Sequence, residues 1–195
     1  MPLTGALGAI VVLAVAAAPL ALTGCLPMVV AAGVGGATLV ATDRRSVGAQ
    51  ADDEGIELKM ANEIRARYGD TVHVNATSYN GVVLLTGEVP DQGVYASVGN
   101  IAASTDRVRS VHNDLAIGPL TSLSARTNDT FITSKVKARF VEANQFAATH
   151  VKVVTERGVV YLMGIVRHSE ADAAARLAST TSGVVRVIKV FEYLD

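Results

Sequence analysis

The sequence predicts an α+β protein built of two αββαβ units, each a three-stranded mixed sheet packed with two helices, behind an apolar leader and a flexible tether. Three observations carry this. Gly81-Val82-Val83-Leu84-Leu85-Thr86-Gly87-Glu88-Val89 returns 77 residues later as Gly158-Val159-Val160-Tyr161-Leu162-Met163-Gly164-Ile165-Val166, with six of nine positions identical. Ahead of each copy stands an apolar trio spaced by four, Ile56, Met60, Ile64 and then Ile132, Val136, Phe140, the spacing of one helical face. All 35 acidic and basic residues lie after Thr42, in the part that carries the repeat.

The uncharged start is one object by itself. Leu22-Thr23-Gly24-Cys25 holds the only cysteine and fits a bacterial lipoprotein signal: residues 1–24 are cleaved and the Cys25 thiol takes a lipid. Two other readings remain, an uncleaved transmembrane helix of about 20 apolar residues and an ordinary signal peptide cut elsewhere. Pro19, Pro27 and Gly33-Val34-Gly35-Gly36 interrupt the run and make it a poor continuous helix. The usual cationic stretch ahead of the apolar segment is missing. Leu26, not Asp, follows the cysteine; by resemblance to Gram-negative lipoproteins that implies the outer membrane. Several acyl chains at ~0.8 kcal/mol per buried methylene would hold durably. A single cysteine excludes a disulfide framework and any cysteine-based zinc site.

Residues 25–51 read as a Gly- and Ala-rich tether with a root-mean-square reach of roughly 25–30 Å. The first unit spans 52–118. Its helix runs Asp53 to Tyr68, with Asp near the start as a helix N-cap would be. Val72, Val74 and Ala76 alternate in a strand, and Asn80-Gly81 turns the chain, glycine supplying positive φ cheaply. A second helix over about Asp91 to Thr105 crosses to a last strand, Val108 to Ile117, parallel to the second. Residues 119–126 form a Pro- and Ser-bearing linker. The second unit, 127–195, repeats the order: helix Asp129 to Ala143, strand with Val151 and Val153, turn Arg157-Gly158, helix Ser169 to Ser182, strand Val184 to Tyr193. Units of about 65 residues are marginal alone, so docking of the two is expected.

The unit, with its Gly-Val-Val-x-Leu-x-Gly-x-Val hairpin and Val184-Val185-Arg186-Val187 entering the last strand, resembles the BON domain. Two such units behind a lipobox resemble the dual-BON outer-membrane lipoproteins, the DolP (also called YraP) group. Thr42-Asp43-Arg44-Arg45-Ser46-Val47-Gly48, Asn128-Asp129-Thr130-Phe131-Ile132-Thr133-Ser134-Lys135, Val151-Lys152-Val153 and Phe191-Glu192-Tyr193 extend the match. The resemblance implies binding, not catalysis: anionic phospholipid in the inner leaflet of the outer membrane, met through the first helix of the second unit near Phe131, with roles in envelope integrity and at the division site. Relatives often carry Trp where this chain has Phe131, which lacks the indole N–H. Arg107 stands where the second unit has Gly183.

Projected at 100° per residue, Ile132, Val136, Phe140 and Ala143 fall on one side. Phe131, Ser134, Lys135 and Ala138 form a separate stripe with Arg139 on its border. A ring beside cations off the core face is what an interfacial helix offers. The first unit has Gly55, Lys59 and Glu63 at the places of Phe131, Lys135 and Arg139. Net charge over 54–118 is −3 and over 127–195 is +2, so the second unit suits anionic lipid better. Pattern alone leaves the plainer alternative of a Phe folded onto its own domain and solvated cations. Phe146 reads as a loop-to-core anchor.

Near-zero net charge argues against nucleic-acid binding. His73, His112, His150 and His168 show no metal-ligand spacing, so neither metal nor cofactor is expected. Asp52-Asp53-Glu54 reads as a helix-start cluster favoured by the dipole. No catalytic motif appears, so no enzyme is expected. The alternative is a protein-interaction adaptor, its helix face or exposed sheet surface docking an envelope partner. Five Tyr, four Phe and no Trp offer little platform for polysaccharide.

Overall fold

The computed structural model describes residues 43–194. Cys25, the leader and most of the tether lie outside them. The described part follows the expected order twice. In the first unit these are α1 (Val47–Tyr68), β1 (His73–Tyr79), β2 (Val82–Val89), α2 (Gln92–Ser104), β3 (Ser110–Asn113) and β4 (Ala116–Ile117). In the second they are α3 (Leu123–Ala143), β5 (Lys152–Glu156), β6 (Val159–Val166), α4 (His168–Ser179) and β7 (Arg186–Tyr193). Single 3₁₀ turns link α1 to β1 and α3 to β5.

Both hairpins are antiparallel, closed by Asn80-Gly81 (φ 53° and 75°) and Arg157-Gly158 (φ 50° and 72°). Two successive positive φ values are what a two-residue I′ loop requires. After each crossover helix the third strand runs parallel to the second, β3 and β4 beside β2 and β7 beside β6. The first unit's last strand is interrupted at Asp114-Leu115 without losing register. Leu115 gives its N–H to the Asn113 side chain, which takes the place of a ladder bond.

Each sheet buries one face under its own two helices. Ile56, Met60, Ile64, Val83, Leu85, Val98 and Ile101 fill the first core. Ile132, Val136, Phe140, Phe146, Val160, Leu162 and Ala174 fill the second. Phe146 meets Phe140 edge-on at 5.1 Å, the expected loop anchor. The other sheet faces pack on each other: Tyr79, Leu84, Tyr161 and Met163 are buried there, ringed by Val82, Val154, Ile165, Ile188 and Val190. β2 and β6 are therefore covered on both sides, which explains their almost continuous apolar sequence. Polar bonds frame this seam: Lys152 to Glu57 at 2.9 Å, Asn80 to Glu192 at 2.6 Å and Tyr161 Oη to Asp114 at 2.5 Å.

Two expectations about helix starts fail together. α1 and α3 begin six residues upstream of Asp53 and Asp129, capped by Ser46 and Ser122, whose hydroxyls accept the N–H of Ala49 and Ala125. The end of the expected tether and linker is thus helical. Asp53 and Asp129 are not caps but buried residues on the core face. Asp129 accepts the N–H groups of Arg157 and Gly158, both at 2.8 Å. Asp53 accepts Ser78 Oγ at 2.6 Å, Asn80 N at 2.7 Å, Gly81 N at 2.8 Å and Arg45 at 2.9 Å. Each carboxylate pins its hairpin turn to its first helix. Burial pushes the Asp53 carboxyl up, but these four donors together hold it below its ordinary value.

The segment entering α1 ties the two units. Arg44 makes a two-pronged pair with Glu170 of α4 at 2.6 and 2.8 Å and bonds Ile165 O, while Arg45 bonds Asp43 and Asp53 and lies 4.0 Å over the Tyr79 ring. Fork-to-fork contact is the geometry for which Arg differs from Lys.

Candidate functional site

The outward side of α3 is the candidate. Four residues, Asp129, Ile132, Val136 and Phe140, commit one face of the helix to the core. Phe131, one position from Ile132, is consequently turned about 100° away and stands 65% exposed. It does not fold back as a staple. Ser134, Lys135 and Ala138 are exposed along the same row. The Ser134 hydroxyl is turned back to Thr130 O at 3.0 Å.

The cations divide. Lys135 Nζ donates to Ser182 O at 2.5 Å while the residue stays exposed. This bond is one of those that hold the segment before β7 against α3. Gly183 (φ 97°) lets that loop approach: a Cβ there would stand 3.0–3.1 Å from the Ile132 side chain. Two residues on, Val185 is 78% exposed and lies over the Gly158 turn, where a Cβ on Gly158 would stand 2.9 Å from the Val185 Cγ2. The last strand starts one residue after Val185.

Arg139 does not join the face. Its guanidinium bonds Leu177 O, Thr180 Oγ1 and Thr181 Oγ1 at 3.0, 2.8 and 3.2 Å, closing the carboxyl end of α4, where a cation complements the helix dipole. A projection of α3 alone could not reveal this, since the partner lies on another helix. The cationic part of the face is therefore Lys135; Lys137 is exposed too, but two residues on it is turned about 160° from Lys135.

The same side of the first unit is differently furnished. Gly55 replaces Phe131, and Lys59 pairs with Asp106 at 3.8 Å where Lys135 has a carbonyl. Arg107, in the place of Gly183, takes the positive φ of 68° without being glycine and pairs with Asp52. Among the described residues no helix is long and apolar enough to cross a membrane.

A model of the BON domain matches residues 52–119 and 128–195. The chain is similar to "Outer membrane lipoprotein DolP" of Haemophilus influenzae, 42% identical over 89% of this chain and 91% of that one. It is also similar to "21 kDa hemolysin" of Actinobacillus pleuropneumoniae, 36% identical over 78% and 80% of the two chains. "Osmotically-inducible protein Y" of Escherichia coli is 29% identical, with 76% of each chain covered. Two BON units in the observed fold, and this extent of identity, decide membership: the chain belongs to the BON-domain family, in the dual-BON lipoprotein group of DolP.

Proposed function

We propose that the chain is an outer-membrane lipoprotein, held through Cys25 on the periplasmic face, whose second BON unit binds anionic phospholipid through α3 and supports envelope integrity, including at the division site. The observation that carries the reading is Phe131, an aromatic left 65% exposed beside the Lys135 ammonium. Full burial of such a ring is worth about 1.5–3 kcal/mol, and a Lys at an anionic surface about 1 kcal/mol. The sum is a weak site. An acyl anchor makes weak contact sufficient, because the bilayer is then met at high effective concentration. Phe131 would enter the acyl boundary while Lys135 meets phosphate. Arg139 has no part in it.

The adaptor alternative loses one of its two surfaces, since the outer sheet faces are packed together in the seam. Titration of the chain from Asp43 onward with anionic and zwitterionic micelles tests the reading. Anionic micelles should move the amide NMR signals of α3 and of the 182–185 loop, and F131E should abolish those shifts with its fold intact. Shifts that survive F131E would discard Phe131 as the contact, and no response to anionic micelles would discard lipid contact in favour of a protein partner.

A further inference from the structure

The seam holds a polar cluster that lipid binding does not use. His73 opens β1 and stands opposite Glu88 on β2, and Glu156 ends β5 of the other unit. One ligand atom from each lies within 4.8 Å of the other two. Both carboxylates are buried, Glu88 to 2% exposure and Glu156 to 5%.

Their bonding is incomplete. Glu88 Oε2 accepts from Thr121 N and Oγ1, both at 3.1 Å, and is 3.0 Å from His73 Nδ1. Glu88 Oε1 is buried with no hydrogen-bond partner; the nearest cation is Arg157 Nε at 3.8 Å, on a side chain 45% exposed. Glu156 receives one bond, from Asn75 at 3.0 Å. Two buried carboxylates share one imidazole, with Arg157 standing off at 3.8 Å and Arg126 on the wall of the adjoining cavity, and neither guanidinium bonds the free Glu88 oxygen. A polar cavity of about 280 Å³ adjoins the cluster, its wall including His73, Asn75, Arg126, Asp129, Thr133 and Glu156, so an ion has a way in.

We propose that His73, Glu88 and Glu156 bind a divalent transition-metal cation of the Zn²⁺ class, clamping the two BON units across their seam. Imidazole nitrogen and carboxylate oxygen are both Zn²⁺ ligands, and three protein ligands leave the fourth tetrahedral place to water. Ca²⁺ and Mg²⁺ require all-oxygen shells of six or more ligands and are disfavoured here. At bond lengths of about 2.0–2.2 Å the ligand atoms must close to roughly 3.4 Å apart, which small rotations of two glutamate side chains supply. The unpartnered Glu88 oxygen is the group the ion would satisfy. Because Glu156 comes from the second unit, the ion would bind the docked arrangement and not the separated one.

The test uses the full chain in detergent, its one thiol capped, freed of metal by chelation. Co²⁺ serves as the spectroscopic probe and Zn²⁺ as competitor. A single saturable site is expected, with the d–d bands of a four-coordinate centre, displaced by Zn²⁺ and untouched by Mg²⁺. H73N and E156Q should each bind at least about tenfold more weakly, and H112N, altered at an exposed strand position, should bind as the parent does. Zn²⁺ should raise the Tm of the parent and not of E156Q. If E156Q does not fold, H73N decides alone. Absence of a saturable Co²⁺ spectrum, parent-like binding by H73N, or binding without a Tm rise would overturn the clamp.

Discussion

Replacing Asp129 by Ala tests the pin between helix and hairpin. The side chain is 5% exposed and accepts two backbone N–H groups of a turn whose residues both have positive φ. A hydrogen bond to a charged acceptor is worth about 1.5–3 kcal/mol net. Removing the acceptor leaves two donors, one of them the buried Gly158 N, to be resolvated through a packed turn. The expected loss is about 3–4 kcal/mol. D129N recovers one acceptor but turns an amide N–H₂ toward the second donor, so it should still lose about 2–3 kcal/mol by the same reckoning. D53A removes four bonds, the Arg45 pair among them, and should cost more than D129A. E54A alters an exposed neighbour and should stay within about 0.5 kcal/mol. Urea unfolding followed by far-UV circular dichroism reads all four, with the midpoint moving and the slope retained. A carboxylate serving only the helix dipole would be worth about 0.3–1 kcal/mol. D129A and D53A losses within that range would refute the pin.

Acid stability should depend on Glu170. Hydrogen bonds from Arg44, aided by Arg167 N, hold its carboxyl down at about 2 against burial, from an ordinary 4.5. A depressed carboxyl contributes stability that is present above its unfolded value and lost as pH falls through the folded one. The window is therefore about pH 5 to 2, and at 1.36 kcal/mol per unit the ceiling is about 3 kcal/mol. Thermal melts of E170Q should show a lower Tm at pH 7 and a flatter decline across that window; a parallel decline would contradict it. G164A should destabilise by about 2–3 kcal/mol, since a Cβ there runs into the His150 carbonyl oxygen. Chemical denaturation checks it, and a neutral result would mean that the 3₁₀ turn after α3 can move aside.

The hairpins, the crossover helices and the parallel third strands were legible because their signals are local: alternation, a turn with glycine, a four-residue apolar spacing. The first turns of α1 and α3 were not, because they extend beyond the core. Val47-Gly48-Ala49-Gln50 and Leu123-Ser124-Ala125-Arg126 show no apolar period, and their Ser caps resemble spacer. Asp53 and Asp129 misled for a physical reason: a cap and a pin both put Asp just upstream of the first core residue. Phe131 and Lys135 could be placed from helical geometry, because the core face of α3 was unmistakable. Arg139 could not, since its bonds go to the end of another helix. His73, Glu88 and Glu156 meet only when two sheets dock. A spacing search along one chain has no means of joining them, although Glu88 inside an apolar strand was a sign that something polar faced it.

The seam also narrows where function can reside. With the outer sheet faces spent on each other, what the units present outward is mainly helix and strand edge. Among the large apolar residues left exposed, Val47 and Leu58 lie on α1 and Leu123, Phe131 and Val141 on α3, while α2 and α4 have none. Among the helices of the described residues, only α3 has an aromatic in this exposed set, Phe131. The first unit has Lys59–Asp106 and Arg107–Asp52 pairs on the equivalent side, exposed pairs of a kind that contributes about 0–1 kcal/mol. They neutralise the cations that an anionic surface would need. The two units share one core plan and differ on this helix face: the first pairs its cations with carboxylates, and the second leaves Phe131 exposed with Lys135 bonded to a backbone carbonyl.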